Sequence, residues 1–361
     1  MDQASTSSQI SIAFVTGATG LLGNNLVRLL VSRGVHVRAL ARSPRKAEQQ
    51  FAGLPVEIVI GDMSNVASFA PKLRGVDVLF HTAAYFRDSY KGGTHRKALI
   101  DTNVQGTAEL LSHAYSAGIR RVVHTSSTNV LNGPSHSLID ETMPRSVDDA
   151  DDYSLSKILS DREVMRFLNT HRDMSISFVL PGWMIGPGDI GPTSSGQLIL
   201  DFLRRKLPGI PPSTMSIVDA RDIAEGHWAA ALRGQSGERY LAAGRHTPME
   251  ELVVLLEHVS GTPAPKRTIP FALLYALALG NEVWRLISRK PVLISLAGVR
   301  LMQHYRNRPH FNNAKVEQEL GIRFRPLAET LRDTIAWYRQ NGWLDQPAKT
   351  RTQLRAAGGS L

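Results

Sequence analysis

Cysteine is absent from the 361 residues of this sequence. A chain without cysteine can form no disulfide, no thiolate nucleophile and no zinc or iron–sulfur centre that needs cysteine ligands. Covalent chemistry must therefore use serine, tyrosine, lysine, histidine or carboxylate side chains. We predict no metal site.

Long hydrophobic runs are also missing. The first nine residues, MDQASTSSQ, lack the basic and apolar regions of a signal peptide, so we expect a disordered lead over residues 1–10. The apolar run FALLYALAL (271–279) ends at Gly280, Asn281 and Glu282, well short of the ~20 residues that span a bilayer. We expect a cytoplasmic protein in which this run is a buried or substrate-covering helix. Membrane-surface contact is the less favoured alternative.

Acidic residues are in deficit: 32 Asp and Glu face 42 Lys and Arg, which gives a formal net charge of +10 at pH 7. Such a charge is compatible with nucleic acid, an anionic membrane or a phosphate-bearing ligand, because net charge informs association rather than fold. The excess lies mainly towards the C-terminus, where residues 281–325 contain nine basic and three acidic side chains.

Short apolar runs alternate with helical patterns along the first half of the chain. SIAFV (11–15) precedes a glycine turn and a helix with Leu26, Leu29 and Leu30 at helical spacing. Five β-favouring runs follow: HVRALAR, VEIVI, VDVLFHTAA, RRVVHTSS and ISFVLPG. Apolar strands separated by helices indicate a parallel sheet covered on both faces. The predicted fold class is α/β, a Rossmann-type doubly wound parallel sheet with a smaller C-terminal substrate-binding lobe.

The composition changes near residue 185, where Gly/Pro-rich loops begin. We assign residues 11–185 and 216–243 to the dinucleotide-binding Rossmann domain. Residues 186–215 and 244–345 are assigned to the substrate-binding lobe. The last segment, 346–361, is expected to be a basic, flexible tail.

Gly17, Gly20 and Gly23 are spaced G-x-x-G-x-x-G between the first strand and the first helix. Glycine is needed at such a turn because the turn is tight, because backbone must approach a pyrophosphate closely, and because the helix must pack on the sheet. The helix N-terminus then offers amide donors to phosphate. This position in the chain favours a dinucleotide site over an ordinary glycine-rich turn.

The second strand ends without the acid that would hold the ribose 2′-hydroxyl of NAD. Arg42 stands nineteen residues after Gly23, with Arg45 and Lys46 just beyond it. A guanidinium suits a 2′-phosphate, so we expect NADP(H) in preference to NAD(H). Solvated surface charges are the alternative. Asp62, after the third strand, could accept from the adenine amino group or cap a helix.

Tyr153 and Lys157 lie four residues apart in YSLSK, so on a helix their side chains share one face. A tyrosine with an unperturbed pKa of about 10 is a poor acid–base catalyst at neutral pH, and a neighbouring ammonium group favours its ionised form. Ser126 and Ser127 end the fifth strand. The aspartates of DDADD (148–152) precede the helix, as acid at its positive end or as a solvated loop.

These motifs resemble those of the extended short-chain dehydrogenases/reductases, also called the NAD-dependent epimerase/dehydratase family. The resemblance covers about residues 10–345 and is greatest for the dihydroflavonol-4-reductase-like branch. The matching segments are TGATGLLG (16–23), HTAA (81–84), TNVQGT (102–107), TSS (125–127), YSLSK (153–157), LPGWMIGPGD (180–189), VDARDIA (218–224) and LAETLRDTIAWYR (327–339).

The resemblance implies a hydride-transfer enzyme with a Ser/Tyr/Lys triad. Tyr153 would donate a proton to a carbonyl, Lys157 would hold the nicotinamide ribose and lower the tyrosine pKa, and Ser127 would hydrogen-bond the carbonyl oxygen. Ser126 would lie nearer the cofactor. An ordinary packing role is the alternative for Ala83 and Ala84 and for residues 181–184. The residues expected at the cofactor are Gly17, Thr19, Gly20, Leu21, Leu22, Gly23, Arg42, Asp62, Met63, Ala83, Ala84, Ser126, Tyr153, Lys157, Pro181, Gly182 and Met184.

Two departures from the sugar-nucleotide members of the family bear on the substrate. Those members usually carry Asn in the segment after the sixth strand, where this chain has the apolar PGWMIGP. They also keep NAD bound, whereas Arg42 predicts NADPH. Tyr85, Phe86 and Trp183 are therefore expected to contact a hydrophobic or aromatic carbonyl compound. The resemblance adds Asn132 as a substrate contact.

The favoured function is NADPH-dependent reduction of a ketone or aldehyde of an apolar or aromatic small molecule, with Tyr153 as proton donor. A sugar-nucleotide epimerase or dehydratase is the alternative. A dinucleotide sensor without turnover is third, because an intact Tyr153 and Lys157 pair argues against it. The expected partners are a small-molecule carbonyl or alcohol and, by family analogy, a second copy in a homodimer; nucleic acid is not expected.

Overall fold

The structure, a computed structural model, describes residues 10–86, 95–134, 137–288, 295–306 and 310–344. Residues 1–9 of the expected lead, and the whole of the expected tail over 346–361, lie outside the described residues.

Ten strands are present in the described residues, and the apolar runs of the sequence supply the first six. Each run forms a strand because its side chains can be buried on both faces of a sheet. The strands are β1 Ile12–Thr16, β2 His36–Ala41, β3 Val56–Ile60, β4 Val78–His81, β5 Arg121–Thr125, β6 Ser175–Pro181, β7 Trp183–Ile185, β8 Thr214–Asp219, β9 Arg239–Ala242 and β10 Arg245–Pro248.

Twelve α-helices connect and cover these strands in the part of the chain that is described. A π-helical segment, Asp101–Gln105, joins the third of them to the fourth. The helices are α1 Leu21–Ser32, α2 Pro44–Phe51, α3 Arg96–Ile100, α4 Gly106–Ser116, α5 Asp152–Thr170, α6 Ser194–Leu203, α7 Ala220–Arg233, α8 Met249–Ser260, α9 Phe271–Ser288, α10 Leu296–Tyr305, α11 Ala314–Leu320 and α12 Leu327–Gln340.

Several of these helices begin behind side-chain caps. An oxygen of the capping residue accepts a hydrogen bond from a first-turn amide that has no partner within the helix. The cap therefore fixes where each helix begins, including the helix that carries the predicted reactive pair. The caps are Ser43 for α2, Asp151 for α5, Thr193 for α6, Asp219 for α7 and Ser295 for α10.

A seven-stranded parallel sheet in the order β3-β2-β1-β4-β5-β6-β9 forms the centre of the molecule. Ala13, Phe14 and Val15 of the inner strand β1 have no exposed surface, because helices cover both faces of the sheet. Leu26 of α1 packs in the core on one face, and Leu110 of α4 packs in the core on the other. The predicted Rossmann-type α/β fold is confirmed.

The seventh strand, β9, was not among the predicted strands. Its four residues, RYLA, are too few to show a period and are followed within three residues by another strand. It forms the edge of the sheet by pairing with β6, where Val179 lies opposite Tyr240.

A second, three-stranded sheet in the order β10-β8-β7 follows the main one and was not predicted either. Gly182 links β6 of the first sheet to β7 of the second. A Cβ atom on Gly182 would lie 2.2 Å from the carbonyl oxygen of Ala243, so only glycine fits this close approach. A separate hydrophobic core packs beside this sheet, with Ile199 from α6, Leu252 from α8 and Leu331 from α12.

The apolar run 271–279 forms the first half of α9, but the expectation of a buried helix holds for only one of its faces. Leu274 and Ala278 are buried, whereas Leu273, Leu277 and Leu279 are between 41% and 55% exposed. No described helix is both long enough and apolar enough to span a bilayer. Every face of the helix that this run forms is apolar, and the fold covers only the face with Leu274 and Ala278.

Candidate active site

The glycine turn lies between β1 and α1, directly against the segment that follows β4. Gly17 has a φ of +66°, and a Cβ there would lie 2.7 Å from the backbone nitrogen of Ala83. A Cβ on Gly23 would lie 2.2 Å from the carbonyl oxygen of Gly17. Both positions therefore exclude a side chain. The structure brings the predicted cofactor residues Gly17 and Ala83 into contact, and leaves Ala84 exposed.

The amino end of α1 is open. Gly20 precedes the helix, is exposed, and supplies no capping side chain, and the first turn contains no acidic residue. Thr19 is half-buried, while Leu21 and Leu22 point into the core and are at most 6% exposed. Because the first amides of a helix need acceptors and carry a positive dipole end, this terminus suits a phosphate group. The turn and the helix end together fit the pyrophosphate of a dinucleotide.

Arg42 and Asp62 lie together at the carboxyl ends of β2 and β3. The Arg42 side chain is 79% exposed, and its Nε atom lies 3.8 Å from Oδ2 of Asp62. Asp62 accepts from the backbone nitrogen and the hydroxyl of Ser64, at 2.8 and 2.7 Å, so it closes a local turn rather than capping a helix. Burial opposes ionisation of Asp62, but the Ser64 hydrogen bonds and the Arg42 charge leave its pKa lowered. Met63 is buried.

Tyr153 and Lys157 lie one turn apart on α5. Asp151 caps the helix by accepting from the backbone nitrogen of Ser154 at 2.8 Å, so the predicted role of the acidic run at the helix end is confirmed for this residue. Tyr153 is 9% exposed and Lys157 is 2% exposed. Lys157 Nζ donates to the carbonyl oxygen of Thr125 at 2.6 Å.

Burial lowers the pKa of Lys157 to about 8, and the nearby carboxylate of Asp161 partly offsets this effect. Desolvation favours the neutral amine, whereas an opposite charge favours the ammonium group. Lys157 therefore remains largely protonated at neutral pH and titrates within the range where enzymes are assayed.

Ser126 and Ser127 follow β5 and point in different directions. Ser127 is 8% exposed, and its hydroxyl accepts from the backbone nitrogen of Asn129 at 3.2 Å. The Ser126 hydroxyl donates to Oδ2 of Asp161 at 2.7 Å. Ser126 was predicted to lie near the cofactor. Its hydroxyl group belongs to a buried hydrogen-bond network between β5 and α5.

Asp161 and His124 were missed by the sequence reasoning. His124 Nε2 lies 3.1 Å from Oδ1 of Asp161, and both side chains are at most 2% exposed. Burial is the main influence on each: it lowers the pKa of His124 and opposes ionisation of Asp161, whose pKa is nevertheless lowered by His124, Lys157 and Arg239. The available signal was spacing, because Asp161 follows Lys157 by four residues on the same helix face.

Asn103 was also missed, although it belongs to the TNVQGT segment. It lies in the π-helical segment, where an extra residue per turn redirects side chains. Its amide oxygen accepts from the Tyr85 backbone nitrogen at 2.7 Å, and its Nδ2 donates to the Tyr85 carbonyl at 3.1 Å and to Ser156 Oγ at 3.0 Å. Asn103 therefore fastens the segment after β4 to α5.

The aromatic ring of Phe86 borders Tyr153. The Phe86 ring meets the Tyr153 ring edge-on, with centroids 4.8 Å apart. The Tyr85 hydroxyl hydrogen-bonds His95 Nδ1 at 3.1 Å. Of the predicted substrate residues, Asn132 donates to Asp149 Oδ2 at 2.9 Å and is held in its loop.

The remaining predicted residues lie at the end of β6, the strand next to β5, and just beyond it. Pro181 is the last residue of β6 and is buried, and Trp183 and Met184 are half-buried in β7. The backbone nitrogen of Ser126 donates to the carbonyl of Val179 at 2.8 Å. Adjacent parallel strands thus bring the segments after β5 and β6 to the same edge of the sheet, where ligands bind in such folds.

Comparison with known proteins agrees with this geometry. Residues 13–243 match the model of the NAD dependent epimerase/dehydratase family. A Synechocystis protein named, provisionally, as a dihydroflavonol 4-reductase is 33% identical over 338 residues, covering 92% of this chain and 95% of that protein. Sterol demethylase protein B of Methylococcus capsulatus is 33% identical over 333 residues, covering 91% of this chain and 99% of that protein.

A solved structure extends the agreement to three dimensions. The crystal structure of gox2253 superposes with a TM-score of 0.78 at 32% sequence identity, covering 93% of this chain and the whole of that one. The family model, the relatives and the superposed structure all span the glycine turn, the residues Ser127, Tyr153 and Lys157, and most of the central sheet. The chain belongs to the NAD-dependent epimerase/dehydratase family, the extended short-chain dehydrogenases/reductases, and is an enzyme of the NAD(P)-dependent oxidoreductase class.

Proposed function

We propose that this enzyme is an NADPH-dependent reductase that transfers a hydride to the ketone or aldehyde carbonyl of an apolar or aromatic small molecule. The observation that carries the proposal is the setting of Tyr153. Its ring packs edge-on against Phe86, and one helical turn away the buried Lys157 supplies a cation. A proton donor with an apolar neighbour suits an apolar carbonyl compound.

The residues that would hold the cofactor are those around the glycine turn. Gly17, Gly20 and the open end of α1 would receive the pyrophosphate, and Lys157 would hold the nicotinamide ribose. Arg42 would bind the 2′-phosphate; its side chain is 79% exposed, so it can turn from Asp62 towards an incoming dianion. The bound cofactor supplies the hydride.

The triad supplies the proton. Tyr153 Oη donates to the carbonyl oxygen as the carbonyl carbon receives the hydride, so the product is an alcohol and the tyrosine is left as phenolate. The Lys157 ammonium group stabilises that phenolate by charge. Ser127 orients the carbonyl by a hydrogen bond, in the manner of an oxyanion donor. Solvent then returns a proton to Tyr153.

Two further observations support an apolar substrate. Trp183 and Met184 form an apolar segment on β7, beside the edge where the triad lies. Two relatives at 33% identity are named, the first provisionally, as a dihydroflavonol 4-reductase and a sterol demethylase protein, and neither name refers to a nucleotide sugar.

A sugar-nucleotide epimerase or dehydratase uses the same triad and is the competing function. Such an enzyme must bind a polar sugar and a nucleotide, and it returns the hydride to the substrate without net use of cofactor. The apolar Phe86 ring beside Tyr153 favours the reductase.

Purified protein assayed with NADPH against aromatic, alicyclic and steroidal ketones and aldehydes tests the proposal. We expect stoichiometric NADPH oxidation with at least one apolar carbonyl, at a higher kcat/KM than with NADH. Co-purified NAD, together with interconversion of a UDP-sugar without NADPH loss, would instead establish the competing function.

A further inference from the structure

The outward face of α9 exposes an unusual concentration of large apolar side chains. Among the described residues, nine large hydrophobic side chains are exposed, and five of them lie on this one helix. The other four are spread over different elements. Scattered single exposures are normal, but a cluster on one helix marks a surface that meets another apolar phase. The five are Leu273 (51% exposed), Leu277 (41%), Leu279 (55%), Val283 (59%) and Trp284 (61%).

No polar side chain interrupts this face. Between residues 271 and 284, the exposed positions that separate the five large side chains are occupied by Ala272, Ala276 and Gly280. The inward face packs with Leu274 and Ala278 in a small core that also includes residues of α10. A surface helix of a water-soluble domain normally turns charged residues outward. We name the outward face, residues 272, 273, 276, 277, 279, 280, 283 and 284, the α9 patch.

The sequence segment that contains α9 is strongly basic. Residues 266–308 contain eight Lys and Arg and a single acid, Glu282. Lys266 and Arg267 are exposed just before α9, and Arg300 and Arg306 are exposed on and after α10. The Arg306 guanidinium lies 5.7 Å from the ring centroid of Phe271, at the start of α9.

We propose that the α9 patch binds the surface of a bilayer that contains anionic lipids. An apolar helix face with a Trp and several Leu, bordered by Lys and Arg, has the two properties that interfacial binding requires: apolar side chains for the acyl boundary and cations for the headgroups. The helix lies on the surface, because no described helix could span a bilayer.

The charge distribution selects lipid over a second copy of the chain. Two copies joined through their α9 patches would bring the same exposed cations, Lys266, Arg267, Arg300 and Arg306, next to one another. Like charges that are brought close together oppose association, whereas anionic headgroups neutralise the cations. The inference does not depend on the reductase activity, because vesicle binding requires neither cofactor nor substrate.

Co-sedimentation of the full chain with vesicles tests the inference. One set of vesicles is phosphatidylcholine alone, and the other contains phosphatidylglycerol as about a third of its lipid. We expect binding to the acidic vesicles that is at least tenfold stronger than to the neutral ones, and that weakens with added salt because screening reduces headgroup attraction.

Variants locate the contact. Leu277→Glu with Trp284→Glu should reduce binding to acidic vesicles at least tenfold, and Lys266→Glu with Arg267→Glu should reduce it and weaken its salt dependence. Val254→Glu is the matched control, because Val254 is 60% exposed on a different helix, α8, and does not belong to the patch. Circular dichroism and NADPH binding establish that each variant is folded.

Three results would overturn the inference. Wild-type protein could fail to sediment with acidic vesicles; Val254→Glu could lose as much binding as the patch variant; or light scattering could show a wild-type dimer that Leu277→Glu with Trp284→Glu converts to monomer without vesicle binding. The last result would assign the patch to a second copy.

Discussion

Helices α5 and α9 depart from the ordinary pattern of a globular helix in opposite directions. Helix α5 buries polar side chains: Tyr153, Lys157 and Asp161 are each at most 9% exposed. Helix α9 exposes apolar ones, with Trp284 61% exposed. Burying a charge is costly unless it is paired, and exposing a contiguous apolar face is unfavourable in water.

The difference shows two ways in which a helix can sacrifice stability for function. On α5, the cost is reduced by partners: Lys157 donates to the Thr125 carbonyl, and Asp161 meets both His124 and Ser126. Its charges are fixed in place, as a reactive site requires. On α9, the large apolar side chains of the outward face are exposed, and the proposed compensation is an anionic bilayer outside the molecule. The predictions below test each side of this contrast.

Removal of the Tyr153 hydroxyl should have the largest effect. We expect Tyr153→Phe to reduce kcat for carbonyl reduction by about 10³-fold, because general acid catalysis contributes factors of that order. NADPH affinity, measured by fluorescence titration, should change little. Tyr115→Phe on α4 is the control, since its hydroxyl donates only to Asp173. Retained turnover in Tyr153→Phe would remove the phenol from the proposed chemistry.

Reversal of the charge at Arg42 should change cofactor choice. Arg42→Asp should lower the ratio of kcat/KM for NADPH to that for NADH by about 10²-fold, because it removes charge-assisted hydrogen bonds to a 2′-phosphate and adds repulsion. Arg172→Asp makes the same charge change at an exposed position that precedes β6, four strands from β2 in the sheet. An unchanged ratio in Arg42→Asp would mean that another residue selects the cofactor.

Removal of the Asp161 carboxylate should shift the pH profile of activity. Lys157 is charged below its pKa of about 8, so activity should fall as the pH rises through that value. Asp161 raises the Lys157 pKa, so Asp161→Asn should move the alkaline limb to lower pH and reduce kcat at pH 8 by about tenfold. Glu163→Gln, at a partly exposed acid on the same helix, should leave the limb in place. A limb that shifts to higher pH would contradict the assigned role.

Truncation of two leucines on α9 should give the smallest effect, a difference in the free energy of unfolding between the two faces of one helix. Leu274 is 3% exposed and Leu277 is 41% exposed. Leu274→Ala should lower the free energy of unfolding in urea by about 2 kcal/mol, whereas Leu277→Ala should change it by less than about 0.5 kcal/mol. Equal losses would show that the outward face of α9 is packed against protein.

The sequence predicts those features that depend on local spacing. The glycine turn needs only the G-x-x-G-x-x-G spacing after an apolar strand, and the reactive pair needs only the four-residue step from Tyr153 to Lys157. The Rossmann-type fold follows from the alternation of apolar runs with helical patterns, and the structure confirms it.

Features that depend on distant contacts were not predicted. Asn103 acts through hydrogen bonds to Tyr85 and Ser156, 18 and 53 residues away along the chain, which no local pattern contains. The two sides of α9 are equally apolar in sequence, so the pattern cannot tell which one the fold covers. The seventh strand, β9, is too short to show a period.

Isotope transfer tests the central claim most directly. The wild-type enzyme is incubated with the carbonyl compound that it reduces fastest and with NADPH deuterated at the transferable position, and the products are analysed by mass spectrometry. The account predicts one deuterium in the alcohol for each NADP⁺ formed. With Tyr153→Phe it predicts almost no deuterated alcohol in the same time. Substrate interconversion without NADP⁺ formation would contradict it.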